Sequence, residues 1–183
     1  FIILFFILTG SPAQTGREKQ IDSLENALRA ADSDTLRVNI LSELARTYGG
    51  VDSLKCFTNG FKALELSKKI NYLKGMAESN INIAGGYLDY YDAENAKKYF
   101  EKGNAFAEKL IAKDSSQQNM KIWLRGIYNL GVAYGYEGNV EKEIELAAKT
   151  IPIAQKMGDK MFVANGNTNL AVKYNNLSYF EKA

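Results

Sequence analysis

The chain has 183 residues, 46% of them hydrophobic and only two of them proline, enough to bury a substantial core as one domain or one repeat array. Its 23 basic and 21 acidic residues leave a net charge of +2 and are interspersed, so no basic stripe marks it for nucleic acid or an anionic membrane. The absence of histidine and the single cysteine exclude histidine acid–base chemistry, a Ser-His-Asp triad, an internal disulfide and a Cys/His zinc cluster.

The run FIILFFILTGSPA, residues 1–13, is apolar and ends in small residues, with Ser11 and Ala13 placed as a signal peptidase requires before Gln14. Its apolar core, Phe1 to Leu8, is too short to span a bilayer. A cleaved export signal is expected, with an uncleaved anchor as the alternative, and the chain is expected to be periplasmic or membrane-associated. Within a leading segment 14–34, residues 17–31 read as an amphipathic helix with Ile21, Leu24 and Leu28 on one face. Ser33 or Asp34 caps the next helix, 35–48, which Gly49-Gly50 ends. Further helices are predicted over 52–70, 73–90, 93–112, 117–136, 139–157 and 160–176, with Asp92, Ser115 or Ser116, Asn139 and Asp159 as caps. Pro152 is expected to kink its helix or to end its hydrogen bonding early.

One pattern recurs along this series. Leu130-Gly131-x-x-Tyr134 is matched by Leu44-Ala45-x-x-Tyr48, Ile83-Ala84-x-x-Tyr87 and Leu170-Ala171-x-x-Tyr174. The tyrosines recur at intervals of 39, 47 and 40 residues, the range of helical-pair repeats. A phosphate-binding glycine loop would not occur four times, so the glycines of YNLGVAYGYEGN belong to packing. Cys56, Ala96, Glu143 and Ala183 follow eight or nine residues after the tyrosines, and Gly60, Phe100 and Ala147 four after those. Small residues let the two helices of a pair approach, and the tyrosines fill the space between pairs. The longer middle interval predicts that helices near 93–112 and 117–136 each project about one turn beyond the rest.

This pattern resembles the tetratricopeptide repeat, with repeats at about 35–72, 73–114, 117–158 and a truncated one at 160–183. The resemblance implies an all-α fold, a right-handed α-solenoid of stacked antiparallel helix pairs. It also implies a concave face lined by the first helix of each pair: Asn39, Ser42 and Arg46; Glu78, Ile81, Asn82 and Leu88; Arg125, Tyr128, Asn129 and Val132; Asn165, Thr168, Asn169 and Val172. Asn82, Asn129 and Asn169 precede the repeated apolar-small pair, and such a row of amides suits the backbone of an extended peptide; the alternative is that they bond within the stack or to water. Arg46 and Arg125 suit a carboxylate clamp only loosely, since the lysines of the family's clamp are missing, and read better as solvated surface residues.

Other features have plainer readings. Asp32-Ser33-Asp34 with Glu43 imitates a calcium loop but lacks a ligand at Leu36 and a glycine at Arg37, so the aspartates read as helix caps. Glu141, Glu143 and Glu145 point to diverging helix faces and read as solvated. Cys56 sits where the repeat needs a small side chain and reads as a packed core thiol. Trp123, Tyr90, Tyr91 and Tyr136 read as packing residues, with an aromatic ledge as the alternative. Asn176-Leu177-Ser178 matches a glycosylation acceptor.

The expected function is non-catalytic: a module that binds a protein or peptide segment on its concave face, with no cofactor, metal or nucleic acid. Membrane association is expected only through the N-terminal segment or a downstream helix. The run DSDTLRVNILSELARTY ahead of such repeats resembles the exported N-terminal region of bacterial sensor proteins that end in a histidine kinase or a DNA-binding regulator. An exported scaffold for envelope proteins is the alternative.

Overall fold

A computed structural model describes the backbone of residues 12–180 and the side chains of residues 16–175. Most of the expected export signal and Ala183 lie outside the described residues, as do the side chains of the Asn176-Leu177-Ser178 acceptor. Eight helices make up the described chain: α1 (Pro12–Ala30), α2 (Asp34–Tyr48), α3 (Ser53–Lys69), α4 (Leu73–Asp89), α5 (Ala93–Lys113), α6 (Gln117–Tyr136), α7 (Val140–Lys156) and α8 (Lys160–Phe180). No described helix is long and apolar enough to cross a membrane.

Local chemistry sets the boundaries. Ser33, Asp52, Asp92, Asn139 and Asp159 each accept a hydrogen bond from the backbone N–H three residues on, at 2.9–3.4 Å, which satisfies a donor that a helix start otherwise leaves unpaired. Ser116 holds the cap position of α6 without a side-chain bond. Five turns each place one residue in the left-handed region: Gly50, Asn71, Tyr91, Gly138 and Gly158. Glycine and asparagine suit that conformation, whereas Tyr91 bears a side-chain penalty there.

Each helix packs against its neighbours in the chain, and α2 also touches α4, as α4 touches α6. Core residues come from the repeated pattern. Ala45 and Ala84 are fully buried, Leu44, Ile83 and Tyr48 nearly so, and Gly131 sits where an added Cβ would lie 3.2 Å from the Glu143 carbonyl and Leu146 of α7. Ala84, Ala96, Phe100, Ile122, Trp123, Leu130 and Ala133 belong to one cluster that Tyr87 and Tyr134 flank. A smaller cluster holds Leu44, Tyr48 and Cys56 under the Ile21, Leu24 and Leu28 face of α1. The middle helices α5 and α6 have 21 and 20 residues against 17 in α4 and α7, as the longer interval predicts.

Four expectations need correction. The last copy does not pack as the others do: Ala171 and Tyr174 are exposed and Leu170 half-buried, because α8 packs along α7 and reaches α6 only through side chains such as Phe162 and Asn169 against Tyr128. Of the two outcomes expected of Pro152, a kink or an early end, the second does not occur: α7 continues to Lys156. Glu143 is buried, not solvated: Gly135 on α6 leaves the space for its carboxylate, since a Cβ there would collide with Glu143 Oε2 and Cδ, and Lys173 Nζ lies 2.9 Å from its Oε2. Of the aromatics, Trp123 is buried, whereas Tyr90, Tyr91 and Tyr136 are exposed, with Tyr91 stacked on Tyr136 at 5.6 Å.

Candidate functional site

The helices α2, α4 and α6 lie side by side, and a cavity of about 340 Å³ opens across them. Its walls carry Arg46 from α2, Asn82, Gly85 and Asp89 from α4, and Arg125 and Asn129 from α6. Six of the fifteen residues expected on the concave face, Arg46, Ile81, Asn82, Leu88, Arg125 and Asn129, therefore meet in one place. Arg125 and Asn129 are four residues apart, so both project from the same side of α6.

The two arginines differ in state. Arg46 donates through Nε to Glu43 Oε2 at 3.0 Å and through Nη2 to Glu43 Oε1, a fork-to-carboxylate pair. That bond holds the Glu43 carboxyl below its ordinary range and raises Arg46. Arg125 has no such partner: its Nε is buried and unpaired, and no ion pair holds its guanidinium among the described residues. Burial pushes its pKa down, opposed by the charges of Glu78 and Glu43 at longer range. The solvated reading of Arg125 is thus corrected, because Ile81 and Ile122 stand around it on α4 and α6. Glu78 shares with Arg125 a second hollow of about 220 Å³ beside Gln118 and Lys121, and burial pushes its carboxyl above the ordinary range.

The amides behave in different ways. Asn82 Nδ2 donates to the Ser42 carbonyl at 2.7 Å, tying α4 to α2 beside the buried Ser42–Ser79 hydroxyl pair at 2.9 Å. Asn39 Oδ1 accepts from the Tyr72 hydroxyl at 3.1 Å. Asn169 donates to the Tyr128 hydroxyl, beside a small hollow bounded by Glu143 and Lys173. Asn165 is exposed on α8. Among the described residues, Asn129 is the one of the three repeated amides that lines the main cavity with no side-chain hydrogen bond.

Sequence reasoning missed Gly85 and Asp89. A signal for the first exists: Gly85-Gly86 interrupts a helix, a destabilising choice unless space is needed. A Cβ on Gly86 would lie 2.8 Å from Cys56 Sγ, whereas one on Gly85 would meet nothing within 4 Å. Cys56 is buried there and its thiol is pushed up to about 11, the state of a packed rather than a reactive cysteine. Asp34, read as part of a failed calcium loop, pairs with Arg37 at 3.1 Å.

A third, more apolar groove of about 350 Å³ lies where α5 and α6 project, lined by Ile111, Met120, Trp123 and Ile153, with Glu108 accepting from Trp123 Nε1 at 3.3 Å. No protein-family model matches the chain, and no curated protein matches it.

Proposed function

We propose that the chain is a peptide-binding module of the tetratricopeptide type, a right-handed α-solenoid whose concave face runs along α2, α4 and α6. Support comes from the sequential helix contacts and from the row of first helices touching one another. The observation that carries the reading is the cavity across those helices with the half-buried Arg125 on its wall, its buried Nε without a partner. A charge removed from water without a partner is costly, and a ligand carboxylate or carbonyl would offset that cost. Around it stand the Asn82 and Asn129 side-chain amides, groups that hydrogen-bond a peptide backbone.

The similarity of residues 32–48 to the leading repeats of bacterial sensor proteins supports a place in the exported, sensory part of a larger signalling protein. Ligand binding across three helices would there alter the pitch of the array and so bias an output domain.

Panning a random peptide library on the immobilised chain tests the reading. Enrichment of a sequence family that Arg125→Ala abolishes is expected. Enrichment of apolar sequences that survives Arg125→Ala but not Trp123→Ala would move the partner to the groove on α5 and α6 and favour the scaffold alternative. No enrichment would contradict peptide binding.

A further inference from the structure

The cavity is electrically two-ended. Arg125 sits toward the Glu78–Asn82 part of α4, where Glu78, Glu43 and Arg46 are the charges that act on it. Asp89 stands seven residues beyond Asn82 on the same helix, about 10 Å along its axis at 1.5 Å per residue. The charge that acts on Asp89 is Arg17 of α1, not Arg125, and no hydrogen bond or ion pair holds its carboxylate among the described residues. The two ends do not pair with each other: both line the cavity, Arg125 with its buried Nε unpaired and Asp89 exposed beside Gly49. Between them Gly85 leaves the floor open, and Asn129 and the Asn82 carbonyl oxygen offer a donor and acceptors along the way.

Such a slot reads both ends of a ligand. From this we infer that the cavity takes a free zwitterionic oligopeptide of about three residues, its C-terminal carboxylate on Arg125 and its N-terminal ammonium beside Asp89, because an extended chain spans at most about 3.3–3.6 Å per residue. A volume of about 340 Å³ suits a ligand of that size and is too small for a folded partner to fill. The inference rests on the cavity being the peptide site and adds that a peptide with both ends free binds there more tightly than one blocked at either end.

Titration calorimetry of the full chain with trialanine, N-acetyl-trialanine and trialanine amide tests it. Trialanine should bind, and either block should weaken it by about tenfold or more, the loss of one charge-assisted contact. Asp89→Asn should make acetylated and free peptide bind alike, and Arg125→Gln should do the same for amide and free peptide. Gly85→Leu, which fills the floor on an exposed-backbone position, should abolish binding with the helix content intact by circular dichroism. A blocked peptide that binds as tightly as the free one overturns the two-ended reading, while its loss in Gly85→Leu would leave peptide binding at this cavity standing. Failure of trialanine to bind also overturns it, and the outcome of library panning, where peptides are displayed without free ends at both termini, then decides the broader reading separately.

Discussion

Asn104 on α5 is the most anomalous single residue. It is buried, yet neither its Nδ2 nor its Oδ1 meets a protein partner, and it lies against Gly126 of α6, where even a Cβ would clash with its carbonyl oxygen. A buried amide without partners costs about 1–3 kcal/mol. Asn104→Ala should therefore raise stability by about 1 kcal/mol in urea denaturation, the amide penalty outweighing the small loss of packing. A fall in stability would mean that some other group satisfies the amide. Nothing in the sequence marks Asn104 as different from the half-exposed asparagines of the first helices, because its isolation depends on what α4 and α6 place around it. The same holds for Arg125 and Glu143, which read as solvated in sequence: long-range packing, not local pattern, buries Glu143 and the Nε of Arg125.

Elements were far more legible. Every helix from α2 to α7 begins and ends within about two residues of where caps and periodicity place it, because capping chemistry is local. What local pattern does not contain is whether a partner helix is present: Leu170-Ala171-x-x-Tyr174 obeys the repeat as well as the earlier copies, but its tyrosine is 56% exposed on α8. Pro152 shows the opposite balance, a breaker overridden by context. It is exposed on α7, and the helix continues past it although its ring removes one backbone hydrogen bond. Pro152→Ala should stabilise the chain by about 1–3 kcal/mol, measured as a shift of the denaturation midpoint at unchanged slope. An unchanged midpoint would mean that the proline ring contributes in place as much as the missing hydrogen bond costs.

At the scale of the molecule, the contacts run from each helix to the next, with a second row through α2, α4 and α6. That row carries the proposed function, since no single helix contributes enough groups to hold a ligand and the cavity exists only because three small-residue faces approach one another. Six of the residues that the repeat resemblance implied for one face, Arg46, Ile81, Asn82, Leu88, Arg125 and Asn129, line the cavity. The resemblance did not anticipate that Asn82 is committed to the Ser42 carbonyl or that Asp89 closes the far end. The central claim, that peptides bind in this cavity, is tested most directly by heteronuclear NMR of the isotope-labelled chain titrated with the panned peptide. The account predicts shift changes concentrated at Arg46, Asn82, Gly85, Arg125 and Asn129 and absent in Gly85→Leu. Changes centred instead on Met120, Trp123 and Ile153, or none at all, would contradict it.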